Sequence, residues 1–230
     1  MRHRAAACIF ASFLIGGGET AGAQALSGDV DLFEYHLDGD RNLLFDGAFA
    51  YSGETQAVVG KLVVGGSIGR NVDQIEGQLL YSRAIGGGFN LEAGIKHEFR
   101  PHPHLTYAGA GISGEPRKGL ALEAYSFVSE KGDVIAEAKA IYEYQFADRL
   151  TLQPRVGFNL AAQDVPDQGI ASGFTNAELG LRLRYEVTEK FAPYVGISHE
   201  RLLGRTANIA RDTEEVVRST HFVFGFSSTF

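Results

Sequence analysis

Residues 177–187 read Ala177-Glu178-Leu179-Gly180-Leu181-Arg182-Leu183-Arg184-Tyr185-Glu186-Val187, and the two kinds of position alternate without interruption. Ala177, Leu179, Leu181, Leu183, Tyr185 and Val187 share one face, while Glu178, Gly180, Arg182, Arg184 and Glu186 share the other. A period of two residues is that of a β-strand, whose successive side chains point to opposite sides. The charges on one face then decide what kind of sheet this is. A turn at Thr188-Glu189-Lys190 leads directly into another aromatic-rich strand. That combination fits a membrane barrel better than a soluble sheet, with the apolar face against lipid and the charged face lining a wet lumen. Phe222, Phe224, Phe226 and the terminal Phe230 repeat the alternation in aromatic form against His221, Val223, Gly225, Ser227 and Thr229.

The other end of the chain carries a matching address. Arg2 and Arg4 precede an apolar run, Ala5 to Ile15, and a small-residue site at Ala21-Gly22-Ala23. This is the pattern of a cleaved secretory signal, so residues 1–23 are expected to be removed, leaving one domain over 24–230. The run is far shorter than the about 20 apolar residues that a spanning helix needs. Cleavage takes away two arginines and Glu19, moving the formal net charge from -7 to -8. An acidic chain of this kind is no nucleic-acid partner. The single cysteine, Cys8, lies within the signal, so the mature chain has no thiol for a disulfide or a metal.

Turn residues divide the remainder into about twelve strands, near 30–37, 43–51, 55–66, 73–84, 89–100, 104–113, 119–128, 133–146, 149–162, 174–188, 191–202 and 217–230. An even number suits a bacterial barrel, and every second link is short, as expected of periplasmic turns. The predicted fold is therefore all-β: an antiparallel, up-and-down transmembrane β-barrel of about 12 strands in the bacterial outer membrane, in contact with its lipid. A secreted lipocalin-like barrel or sandwich is the alternative, but it would place ions outward and leucines inward. Here the inward parity collects Glu34, His36, Asp46, Lys61, Lys96, Glu137, Arg155 and Arg182, both signs interleaved, which are expected to pair across a narrow lumen.

Several segments together resemble a known family. They are Asp31-Leu32-Phe33-Glu34-Tyr35, Leu80-Tyr81-Ser82-Arg83-Ala84-Ile85, Phe99-Arg100-Pro101, Leu152-Gln153-Pro154-Arg155, and above all 177–186 followed by Phe191-Ala192-Pro193-Tyr194-Val195-Gly196. The resemblance is to the copper resistance protein B family, bacterial outer-membrane proteins of copper tolerance, and it runs from about Gly28 to Phe230. It implies a barrel that binds copper ions or lets them pass, with periplasmic copper-handling proteins as partners and no enzymatic activity. Members commonly carry a Met- and His-rich segment ahead of the barrel, whereas here Asp29 follows the signal almost directly and Met1 is the only methionine. Without thioether sulfur, the available nitrogen and oxygen donors suit Cu(II) rather than Cu(I). A narrow porin-like or structural barrel without metal chemistry is the other reading.

Two places could offer such donors. His36 is inward on the first strand and His221 inward on the last, and a barrel closes by pairing those two strands, with Glu34 or Glu200 nearby. Affinity there should fall at acidic pH, because a protonated imidazole does not bind metal. His102 and His104, in Arg100-Pro101-His102-Pro103-His104, share one side of an extended external link. In both places the plainer alternative is histidines bonded to carboxylates or exposed in a loop. A lipid-directed hydrolase would need a His beside a Ser, but Ser198 and His199 fall on opposite faces.

Overall fold

The structure is a computed structural model that describes residues 25–37, 43–67 and 72–230; the signal segment 1–23 lies outside the described residues. The first strands are β1 (Ala25–His36), β2 (Leu43–Ser52), β3 (Gln56–Gly66), β4 (Val72–Gly86), β5 (Phe89–Arg100) and β6 (Leu105–Arg117). They are followed by β7 (Leu120–Ser129), β8 (Val134–Tyr142), β9 (Tyr144–Ala147) and β10 (Leu150–Ala161). A 3-10 turn (Pro166–Gln168), β11 (Gly173–Tyr185), β12 (Phe191–Leu202), the helix α1 (Gly204–Asp212) and β13 (Arg218–Thr229) complete the chain. Strands consecutive in the chain pair antiparallel, except that β8 and β9 both pair with β10, and β13 pairs with β1 to close the sheet.

β8 and β9 are two parts of one stave, both pairing with β10, so the barrel has twelve staves. Pro154 lies in β10 between the two stretches of pairing, from Arg155↔Ile141 to Leu152↔Tyr144. Having no N–H to donate, it leaves a gap in the ladder where the partner strand breaks at Glu143. The single strand expected over 133–146 is therefore divided, and the sixth strand does not end at the expected Ser113. Instead β6 continues to Arg117 through a register shift after Gly114. The turn between β4 and β5 passes through Gly86, Gly87 and Gly88 at φ 90, 64 and 78, a conformation that glycine adopts without steric cost.

Burial follows alternation with the sense of a membrane protein. Val195, Phe222 and Ile95 stand outward at 58%, 61% and 52% exposure, whereas Glu34, Asp46, Lys96 and Arg182 are fully enclosed. Because no water is available in hydrocarbon to satisfy backbone groups, closure of the ladder is what makes this arrangement admissible. The lumen is also drier than its charges alone suggest. Ala50, Val59, Leu80, Leu105, Tyr107 and Phe127 pack into an apolar cluster within it. Twelve staves enclose a space too narrow to stay wet throughout, so side chains fill it.

Expressed in a Gram-negative cell, the chain should fractionate with the outer membrane and migrate faster in a gel before heating than after. Recovery in the soluble periplasmic fraction would contradict a lipid-facing wall of this composition.

Candidate functional site

At the seam where β1 meets β13, four inward side chains form a continuous chain. Arg182 of β11 donates from Nε to Glu34 Oε2 at 2.7 Å and from Nη2 to Glu34 Oε1 at 3.1 Å. Glu34 Oε1 lies 2.9 Å from His36 Nε2, and the His36 ring stacks on that of His221 with centroids 5.0 Å apart and planes inclined at 29°. The register explains the contact, since His36 is opposite Val223 and His221 is two residues from it on the same face. Gly180 and Gly196 face the lumen on either side of Arg182. A Cβ on Gly180 would collide with the Arg182 guanidinium, and one on Gly196 with the Leu181 backbone oxygen and the stem of Arg182, so both missing Cβ atoms leave room for that side chain. Glu34 is sealed at 0% exposure while the His36 side chain reaches 14%, so the chain runs from the interior towards solvent.

The other anticipated donors fall apart from this chain to different degrees. Glu200 lies on the same inward face of β12, two pairs beyond the Ser198↔His221 pair, and accepts from Asn176 Nδ2 at 3.4 Å. His102 and His104 are exposed on the link between β5 and β6, their rings edge to face at 4.0 Å. Among the described residues, no three His, Cys, Asp or Glu side chains are arranged to hold a metal ion. Ser198 faces the lumen, whereas His199 bonds Thr220 at 2.7 Å on the outer wall.

Most of the remaining lumen charges are paired as their alternation suggests, but Asp46, expected to pair with them, is enclosed with neither carboxylate oxygen bonded to a described residue. Lys96 Nζ lies 2.5 Å from Glu137, 3.7 Å from Glu76 and 3.8 Å from Glu98, beneath the rings of Phe127 and Tyr107. Lys61 reaches Glu123 at 3.1 Å and the Tyr125 hydroxyl at 3.0 Å. Arg155 holds Asp31 at 2.5 Å. Strict alternation carried back from Glu34 would have placed Asp31 against lipid. A bulge between Val30 and Leu32 shifts the phase and turns it inward, and simple alternation carries no signal for that bulge.

Over the extracellular mouth, residues 162–172 fold inward and α1 supports them. Gln168 donates to Glu98 Oε2 at 3.2 Å and to the Tyr107 hydroxyl at 3.0 Å. Thr206 accepts from the Ala171 N–H at 3.0 Å, and Lys131 pairs with Asp167 at 2.8 Å. Beneath this cover lies a cavity of about 20 Å³ lined by Glu98, Glu137, Asn159, Gln168 and Asn176, space for about one water. The gap between the predicted strands 191–202 and 217–230 thus holds a helix. Its helical signal was the spacing of Thr206, Ala207 and Ala210, the buried face of α1.

Two outcomes follow from these contacts. Arg182→Met leaves Glu34 buried beside a neutral chain and should lower unfolding stability by about 3–5 kcal/mol, most of it recovered when Glu34→Gln is added; urea titration of the refolded barrel measures both. Asp164 accepts from the Ser172 N–H and from Arg205, which hold its carboxyl below the ordinary range. A depressed carboxylate contributes above its unfolded value of about 3.9 and loses that contribution as pH falls through its folded value. Protection of the Ser172 amide, its exchange measured against that of an unstructured amide at the same pH, should therefore stay constant from pH 7 to about 4 and fall only in more acid solution, whereas Asp164→Asn should lower it already at pH 7.

Comparison with known proteins bears on this geometry. The profile of the family described as "Copper resistance protein B precursor" matches residues 25–230. A "Copper resistance protein B homolog" of Pseudomonas syringae pv. tomato is 35% identical over 158 residues, 69% of this chain and 54% of that one. "Copper resistance protein B" of Escherichia coli is 32% identical over 200 residues, 87% of this chain and 59% of that one. The chain thus spans little more than half the length of these curated relatives. Among solved structures, the NanC porin superposes with a TM-score of 0.56 at 12% identity, covering 89% of this chain and 99% of the porin. The KdgM porin gives 0.50 at 9% identity, with the same coverages of 89% and 99%. At such identities these porins share the barrel and nothing more specific.

Proposed function

The chain belongs to the copper resistance protein B family, and from that premise we propose that this outer-membrane barrel contributes to copper tolerance by binding copper ions at its lumen mouth. The observation that carries the reading is the stacked His36–His221 pair, braced by Glu34 and Arg182. Copper is the cargo here. Glu34 occupies Nε2 of His36 and fixes the ring, an outer-sphere carboxylate acting on a ligand histidine, so the nitrogen offered to an ion is Nδ1. His221 supplies a second imidazole after a small side-chain rotation, and water completes the coordination. Nitrogen and oxygen donors of this kind suit Cu(II). Glu200 on the adjoining strand adds negative charge, and His102 with His104 offers a second imidazole pair on the outer surface.

The role is that of a binding barrel and not of an enzyme. Free diffusion through it, as in an open porin, is disfavoured by the apolar cluster and the Lys96 ion pairs that occupy the lumen. Passage of an ion would require these pairs to exchange partners.

Copper titration of the refolded barrel should show Cu(II) binding that His36→Ala with His221→Ala weakens about tenfold or more while the heat-modifiable band persists. In cells, deletion of the gene should reduce survival in copper more than in zinc or cadmium. Unchanged binding in the double variant would exclude this site, and unchanged tolerance would leave a structural barrel.

A further inference from the structure

The outer wall of β11, β12 and β13 is apolar for most of its height, with Leu181, Ile197 and Phe222 exposed towards lipid. Close to the extracellular end its chemistry changes. His199 and Thr220 face each other and are joined at 2.7 Å; two pairs higher, on the same face, Arg201 stands directly opposite Arg218, both exposed. Like charges directly opposed in an antiparallel ladder repel. Neither arginine forms an ion pair with a described residue. On the wall of β5 and β6 a similar His–Thr bond recurs, between His97 and Thr106 at 2.8 Å. The residue two beyond that histidine is Phe99, an ordinary interfacial aromatic. The β5–β6 wall thus has the His–Thr bond but not the opposed arginines of the β12–β13 wall.

Below them the wall is hollowed. A groove of about 520 Å³, lined by Leu120, Tyr142, Val156, Leu179, Ile197 and His199, opens on the lipid side beside the strand break at Pro154. His199 belongs to the groove and is two residues below Arg201 on the same face. An apolar trough thus reaches the same end of β12 and β13 as two arginines that no described carboxylate neutralises.

We propose that this is a binding site for a phosphate-bearing lipid of the outer leaflet, with an acyl chain in the groove and a phosphate between Arg201 and Arg218. Planar guanidinium groups suit phosphate because each can donate two parallel N–H bonds. The bound phosphate relieves the repulsion that the bare pair carries, and the trough supplies the apolar contact that free phosphate cannot use. The site is independent of the copper reading.

The test uses the full refolded barrel in detergent, titrated with bisphosphorylated lipid A and followed by native mass spectrometry. The wild type should retain the lipid, and R201Q/R218Q should bind it about 25-fold more weakly, each arginine near an anionic headgroup contributing about fivefold. Lipid A stripped of its phosphates should bind wild type and variant equally weakly, and millimolar inorganic phosphate should not displace the intact lipid. Copper binding should be the same in both proteins. Equal retention by the variant, or equally tight binding of the dephosphorylated lipid, would overturn the proposal, as would displacement by inorganic phosphate. If the double variant does not reach the heat-modifiable folded form, Arg218→Gln alone should show the fivefold loss, and its absence would count against the site in the same way.

Discussion

An unpaired strand edge cannot exist in hydrocarbon, because nothing there satisfies its N–H and C=O groups. Every other feature of this molecule follows from meeting that constraint. β1 must find β13, and the seam is pinned to the last residue, where Gly28 and Phe230 exchange backbone bonds at 3.0 and 2.9 Å. That closure brings residues from opposite ends of the chain to one place. His36 and His221 stack only because the barrel has no edge, and Arg182 reaches Glu34 across the same corner of the lumen.

Closure with twelve staves also sets the width, and the width sets how charge can be carried inside. A wider barrel would hydrate its ions. Here Lys96, Lys61, Arg155 and Arg182 each have a carboxylate partner instead. Enclosed ions of this kind are tolerable only when paired, and removing one partner costs far more than the pair contributes. Glycines opposite the largest side chains belong to the same adjustment, since Phe127 lies against Gly109 where any Cβ would collide with its ring. Such a lumen resembles a packed core made partly of ion pairs, and an ion entering it must exchange with groups already bound.

The sequence by itself determined the class of fold, its membrane sense, and which of most side chains face in or out. A strand's alternation is local, and the contrast between leucines and ions in 177–187 needs no partner to be read. The adjacency of His36 and His221 was also legible, since it follows from closure alone. Other features needed the third dimension. The bulge that turns Asp31 towards Arg155 is a change of phase between two strands and leaves no periodic trace in either. The inward fold of 162–172 depends on Gln168 meeting Glu98 and Tyr107, residues far away in the chain. The opposition of Arg201 and Arg218 exists only in the register of β12 on β13, across a link that contains a helix. Periodicity reports the direction of a side chain, which each strand settles locally, whereas the partners it meets depend on register, bulges and link conformation, which only the assembled barrel decides.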